Sequence, residues 1–359
     1  MPDIKVAFWN LENLFDTTAS SIATDLEFTP AEGWTDAVMQ AKIQNLAEVI
    51  KLLHGGAGPD LLGVCEIENV AVAELLLAAI GRTDLKIAHR DSPDLRGIDT
   101  CLIYSNTVFK TPPQSAIKNH ILQLRYPTRD IFEVELELKN SPAKLLALVN
   151  HWPSRVQGRF ETEPFRIATA ERCGRIVDDY LKYSLAEFLE LPNTAATKQS
   201  IASRWNRNVL VMGDFNDEPY DRSILDYLQA TKDLDVLEED IKFPAGQNKP
   251  VAATYLGKKA FLCNTMWPLA ARSDQGTHYY SGGQQGPPPT HTFNLLDQFL
   301  ISRGLFYGLQ KLRLDPATVE IFNAPPISSG AKKRPKRFDR ATKKGYSDHF
   351  PIQCRVQVL

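Results

Sequence analysis

The chain has 359 residues, a formal net charge of -2, 43% hydrophobic and 23% charged residues, a balance that supports a large buried core and excludes a disordered or fibrous protein. Near-neutral charge excludes a global attraction to polyanions, so any affinity for phosphate or nucleic acid must come from local basic segments. Cys65, Cys101, Cys173, Cys263 and Cys354 stand far apart without paired spacing and read as core or incidental thiols instead of a disulfide or zinc set.

In chain order, Ile4 to Trp9 is strand-like from the outset, without the basic start, apolar stretch and small-residue cleavage site of a secretion signal. Met39, Ile43, Leu46, Ile50 and Leu53 recur at helical spacing ahead of a second strand at Leu61 to Cys65, which gives a strand, helix, strand unit. Further strands are expected at Lys86 to His89, Asp99 to Tyr104, Ile131 to Leu138, Leu145 to Asn150, Val209 to Met212, Leu295 to Ile301 and Pro351 to Val358. Glu163 to Leu189 reads as one long helix with a broad apolar face. Segments near residues 192–208, 245–290 and 324–345 are rich in Gly, Pro or charge and read as long loops. Strands interleaved with fewer helices indicate α/β layers. The chemically suggestive residues lie on both sides of every such loop, so a single domain over residues 1–359 is expected. No apolar run has membrane-spanning length, and the expected location is cytoplasmic.

Several clusters of acids, amides and histidines border apolar strands, where open α/β sheets place their ligand sites. They are Asn10-Leu11-Glu12-Asn13, Glu66-Ile67-Glu68-Asn69, Asn150-His151-Trp152-Pro153-Ser154-Arg155, Gly213-Asp214-Phe215-Asn216-Asp217-Glu218 and Ser347-Asp348-His349. Asp297 adds an acid inside the apolar Leu295 to Leu300, where a carboxylate needs a histidine or a metal as partner. Hydrolysis of a phosphodiester requires oxygen ligands for a hard cation, a water made nucleophilic and donors for the charge growing on phosphoryl oxygens. These clusters contain each part, and the absence of cysteine among them favours Mg²⁺, Mn²⁺ or Ca²⁺ over zinc. Taken singly, Asn-Leu-Glu-Asn and Glu-Ile-Glu-Asn equally suit a solvated turn or a helix cap. Trp152 reads as packing, and His54, His89, His120, His278 and His291 receive no role.

Taken in order from Asn10 to His349, the clusters resemble the signature of the endonuclease/exonuclease/phosphatase superfamily. Gly213-Asp214-Phe215-Asn216 followed by Ser347-Asp348-His349 is the specific part; Phe8 to Asp16, Arg96-Gly97-Ile98-Asp99 and Asn216 to Pro219 resemble a bacterial branch of it. The resemblance implies a four-layer α/β/β/α sandwich of two packed mixed β-sheets flanked by helices, with the site at one rim. It implies one or two Mg²⁺ or Mn²⁺ ions, with Glu66 as direct ligand, Asn10 in the same site and Asp348 completing or bordering it. Asp214 would orient or deprotonate the attacking water and Asn216 would hold a phosphoryl oxygen. His349 would face the scissile phosphate, oriented by Asp297, with His151 near the leaving group. Whether Glu12 and Glu68 touch a second ion stays open.

The basic loop Lys332, Lys333, Arg334, Lys336, Arg337, Arg340, Lys343 and Lys344 leads into Ser347-Asp348-His349. With Arg96 and Arg155 it is expected to contact substrate phosphates. The leading expectation is a nuclease on DNA or RNA, monomeric by default and without a membrane partner. A phosphatase for a small phosphoester or inositol phosphate is the alternative. A non-catalytic binding protein is disfavoured because every expected polar position is filled. A sphingomyelinase-like enzyme would need an apolar hairpin that Phe261 to Leu269 supplies poorly.

Overall fold

The computed structural model describes residues 3–19, 26–122, 128–272, 274–280, 292–330 and 333–359. In chain order the strands are β1 (Ile4–Leu14), β2 (Leu61–Ile67), β3 (Leu85–His89), β4 (Asp99–Ser105), β5 (Ile117–His120), β6 (Ile131–Glu137), β7 (Lys144–His151) and β8 (Asn208–Asp214). They continue with β9 (Ala230–Thr231), β10 (Leu262–Asn264), β11 (His278–Tyr280), β12 (Thr292–Asn294), β13 (Asp297–Ser302), β14 (Leu312–Ile321), β15 (Ser328–Ser329), β16 (Arg334–Pro335) and β17 (Ile352–Val358). The longer helices are α1 (Asp36–Gly56), α2 (Val70–Ile80), α3 (Glu163–Leu181), α4 (Leu185–Glu190) and α5 (Ala195–Trp205).

Two mixed sheets carry the fold, in the strand orders β14-β17-β1-β2-β4-β3 and β5-β6-β7-β8-β13-β10-β9. Side-chain alternation along the central strands explains why they stack between helices. Val6 and Phe8 of β1 meet Ala147, Val149, Leu210 and Met212 of the other sheet in one buried core. Ala7, Trp9 and Leu11 point the opposite way, onto Met39, Ile43, Leu46 and Ile50 of α1 and Val72, Ala73 and Leu76 of α2. On the far side Leu146, Leu148, Val209 and Val211 pack beneath Ala170, Cys173 and Val177 of α3 and Ile201 and Trp205 of α5. The result is the expected helix, sheet, sheet, helix sandwich. All five cysteines are free and buried, as their apolar surroundings imply. No helix among the described residues is long and apolar enough to cross a membrane.

Three local expectations are corrected. The helix expected over Glu163 to Leu189 is two, because Lys182 is extended and Ser184 restarts the chain with a capping box to Glu187. The segment near residues 192–208 contains α5, whose N-terminus is capped by the Thr194 side chain accepting from the Thr197 N–H; its polar composition hides the buried Thr197, Ile201 and Trp205. Within residues 245–290, β10 and short helices at Ala252–Leu256 and Trp267–Ala270 replace continuous loop, and residues 281–290 lie outside the described residues. Among the described residues around 324–345 only the short β15 and β16 interrupt irregular chain, and Lys332 lies outside the described residues. The helix α2 and the strand β14 had no counterpart in the sequence reading. Asn69, one of the ambiguous amides, is the N-cap of α2, its Oδ1 accepting from the Val72 N–H at 3.0 Å.

Sheet closeness at the rim depends on Gly213, which sits opposite Asn150 in the parallel β7–β8 pair. A Cβ added at Gly213 would stand 2.3 Å from the Asn150 carbonyl oxygen and 2.7 Å from its Cβ. Gly213→Ala is expected to lower unfolding free energy by about 3 kcal/mol, the upper range for overpacking a rigid interior. Urea unfolding checks this; a loss below about 1 kcal/mol would mean that the strands part easily.

Candidate active site

Register brings the predicted residues to one rim. The strands β1 and β2 run parallel, with Asn10 beside Cys65, so Asn10 and Glu66 emerge together at their carboxyl ends. The strands β7 and β8 are likewise parallel, with His151 beside Asp214. Antiparallel pairing sets Asp297 at the start of β13 opposite Asp214. It also brings the chain into β17 beside β1, delivering His349 to the same edge. Both β1 and β2 bulge there: pairing shifts between Asn10 and Leu14, and Glu12, Asn13 and Glu66 have φ near +54°, +57° and +60°. A left-handed turn at each position re-aims side chains that regular strands would point elsewhere.

The acids and amides form one connected group. The Nδ2 of Asn10 donates to Glu66 Oε1 at 3.2 Å and to Asp214 Oδ2 at 3.1 Å, joining the two sheets. The other Glu66 oxygen accepts from the Asn13 N–H at 2.9 Å, and Asp214 Oδ1 accepts from the Asn216 N–H at 2.9 Å. Asn216, at φ +49°, donates its own Nδ2 to the Trp152 carbonyl at 3.0 Å. Burial raises the Asp214 carboxyl to about 6, with His349 opposing and Asp297 adding to the rise.

The two histidines differ in charge. His349 Nδ1 lies 2.7 Å from Asp297 Oδ2, and its Nε2 faces Asp214 Oδ2 at 3.8 Å. Burial alone would strip its proton, but Asp297 and Asp214 outweigh burial and hold the imidazolium well above the ordinary histidine range. His151 Nε2 lies 3.5 Å from Glu66 Oε1 and 3.9 Å from Asp214 Oδ2. Burial, reinforced by Arg129 and Arg96, keeps it well below that range and therefore neutral. The Arg129 guanidinium lies 3.3 and 3.2 Å from the two ring nitrogens of His151, and its Nη1 is 3.5 Å from Asp94.

A family model described as Endonuclease/Exonuclease/phosphatase family matches residues 5–187 and 193–358. The chain belongs to the endonuclease/exonuclease/phosphatase family. Solved structures share its fold at low sequence identity. Truncated TDP2 of Caenorhabditis elegans aligns at 15% identity and TM-score 0.50, covering 99% of this chain and 98% of that one. An endonuclease/exonuclease/phosphatase protein from Bacteroides vulgatus aligns at 12% identity and TM-score 0.53, with both chains fully covered. A mannosyl-6-phosphatase of Bacteroides thetaiotaomicron aligns at 13% identity and TM-score 0.50, covering 98% and 99%. Among curated proteins none matches this sequence. Membership in the family makes the chain a phosphoric ester hydrolase of a metal-dependent type.

The rim of this family member fits a hard divalent ion. Glu66 Oε1 and Asp214 Oδ2 both lie within 3.2 Å of one Asn10 nitrogen, so two carboxylate oxygens stand close together at the rim, and oxygen donors suit Mg²⁺, Mn²⁺ or Ca²⁺. Burial is the main cause of the upward shift of Asp214, and a bound cation would offset that cost of desolvation. Asp348 brings a ligand-capable oxygen close to His278 and His349.

Most of the expected phosphate-binding cations already have protein partners. Arg96 donates to Asn13 Oδ1 at 2.7 Å and so braces the β1 bulge. Arg155 pairs with Asp217 at 3.0 Å and Asp221 at 2.6 Å and donates to the Asn216 carbonyl, tying the Asn150 to Arg155 turn to the Asp214 to Glu218 turn. Arg337 pairs with Glu12, Arg334 stacks 4.2 Å over the Tyr279 ring, and the Lys336 ammonium lies 6.0 Å from the Tyr346 ring. Lys333, Lys343 and Lys344 are exposed.

Sequence reading missed Arg129, His278 and Lys42. The Lys42 ammonium is buried beneath the rim, donates to the Glu12 carbonyl, and lies 5.3 Å from the Phe338 ring. Burial lowers it to about 8 against the pull of Glu12. Only its place on the apolar face of α1, four residues before Leu46 and three after Met39, signals that it must be buried. In metal-free protein, Asp297→Asn is expected to lower the His349 titration midpoint, because it removes the adjoining negative charge. NMR titration of the imidazole checks this; an unmoved midpoint would assign the charge to Asp214 instead.

Proposed function

We propose that this chain hydrolyses phosphodiester bonds of nucleic acid with a bound Mg²⁺ or Mn²⁺ ion. The observation that carries the reading is the cross-sheet group in which Asn10 joins Glu66 to Asp214 while the Asp297-bound His349 faces the same Asp214 oxygen. Glu66 would hold the ion directly, with Asn10 positioning Glu66 and Asp214 through its amide nitrogen. When bound, the ion supplies positive charge to phosphoryl oxygens and lowers the pKa of water.

Asp214 accepts the proton of the attacking water, and a carboxyl near 6 is well matched to that task at neutral pH. Water oxygen then bonds to phosphorus and the bond to the leaving oxygen breaks. His349 carries the positive charge and donates through Nε2, neutralising the phosphoryl group and returning a proton to the leaving oxygen. His151, held neutral by burial and Arg129, positions substrate by hydrogen bonding instead of acting as the acid. Asn216 is set beside Asp214 to meet a phosphoryl oxygen.

The nucleic-acid reading is supported by exposed Lys333, Lys343 and Lys344 on the loop leading to His349 and by the fold shared with zebrafish TDP2 complexed with single-strand DNA product, at 12% identity and TM-score 0.50 over 99% of each chain. A phosphatase of small phosphoesters is the second reading, favoured by Arg155 and Arg337 being engaged by Asp217, Asp221 and Glu12 and therefore unavailable to a long backbone without rearrangement.

Hydrolysis of plasmid, single-stranded DNA, RNA and a bis(aryl) phosphodiester with Mg²⁺, Mn²⁺ or EDTA tests the proposal. Glu66→Ala is expected to abolish metal-dependent turnover, and His349→Ala to lower kcat by about 10²- to 10³-fold. Full activity in either variant would remove that residue from the mechanism. Replacing Lys333, Lys343 and Lys344 by Gln should flatten the salt dependence of polymer binding by about one unit of slope per lost phosphate contact; an unchanged slope with turnover confined to the small ester would establish the phosphatase.

A further inference from the structure

The ribbon of β11 and β12 brings a third imidazole to the rim. The backbone of His278 pairs antiparallel with that of His349, and the Phe350 N–H donates to the Thr277 carbonyl at 2.7 Å. Residues directly opposed in such a pair project to the same face, and the two rings lie 4.9 Å apart at 43°. His278, Asp348 and His349 each bring one ligand-capable atom within 4.8 Å of the other two. The Nδ1 of His278 is buried and has no hydrogen-bond partner among the described residues, an uncompensated state that native structures rarely leave without a reason.

His349 Nδ1 is engaged by Asp297, which leaves Nε2 as its open nitrogen. A carboxylate behind one ring nitrogen is the usual support of an imidazole that binds metal through the other. A metal ion at Nε2 displaces the proton that this nitrogen otherwise carries, which passes to solvent, and Asp214, 3.8 Å from Nε2, then faces the metal in place of the imidazolium. Two imidazoles and one carboxylate select a borderline ion such as Zn²⁺, whereas the oxygens of Glu66 and Asp214 select Mg²⁺ or Mn²⁺.

We propose that His278, Asp348 and His349 form a separate transition-metal site of the zinc class, and that its occupation takes up His349 Nε2 and inhibits hydrolysis. The inhibitory consequence rests on the role of His349 given under the proposed function; the binding itself does not.

The test is a calorimetric titration of Zn²⁺ into the full chain, stripped with EDTA, dialysed and supplied with excess Mg²⁺, for wild type, His278→Gln and His278→Phe. Zinc inhibition of bis(aryl) phosphodiester hydrolysis is followed in parallel. Wild type is expected to bind one Zn²⁺, and both variants to bind it at least about tenfold more weakly. Both should retain Mg²⁺-dependent turnover and require at least about tenfold more zinc for inhibition. Equal zinc affinity in wild type and both variants overturns the site. Zinc binding that depends on His278 in a protein without hydrolytic activity upholds the site while defeating the hydrolase reading. Asp348→Asn, followed by calorimetry alone, gives an independent check, with the same weakening expected.

Discussion

One amide nitrogen spans the sandwich. Asn10 belongs to the first sheet, yet its Nδ2 donates to Glu66 of that sheet and to Asp214 of the other. A buried and a half-buried carboxylate repel and each must be compensated; a neutral amide with two hydrogens satisfies both without cancelling their charge. The rest of the rim is arranged around this link. The hydroxyl of Ser347 donates to the Asn10 carbonyl at 2.6 Å, and the Trp9 indole donates to the His349 carbonyl at 2.9 Å, so the chain entering β17 is fixed to the strand that carries the amide.

Charge is distributed unequally across this small space. His349 lies between two carboxylates and holds a proton, while His151 lies under a guanidinium and loses one. The same residue type therefore serves as a cation at one end of the site and as a neutral group at the other. Arg129 sets this asymmetry from a short segment ahead of β6, anchored by Asp94. The strained turns at Glu12, Asn13 and Glu66 cost about 1 kcal/mol or more each, and their neighbours restrain them: Arg96 on Asn13, and Lys42 and Arg337 on Glu12.

Much of this was legible in the sequence because each polar cluster directly adjoins a strongly apolar strand. Asn10, Glu66, His151, Asp214, Asp297 and His349 all reach the rim, and the nine expected strands all exist. Legibility failed where burial is tertiary. Nothing in the residues near Arg129 shows that its charge faces His151. The backbone bridge between His278 and His349 joins residues 71 positions apart in numbering. The polar α5 hides its buried face within a segment rich in loop-forming residues. The basic loop shows a different limit: charge is visible in sequence, but whether an arginine is committed to Glu12 or to a ring depends on the fold.

The pairing of β1 with β17 also governs when the site can exist. Pairing partners such as Phe8 and Ile352 are separated by nearly the whole chain, and ribosomal synthesis at ~5–20 residues per second puts tens of seconds between them. Throughout that interval one edge of β1 has no strand to cover it, His349 has not been made, and the nascent protein holds its carboxylates without the imidazolium that faces them. The rim is thus complete only with the closing strand, so a chain interrupted during translation would display an adhesive sheet edge and an unfinished rim.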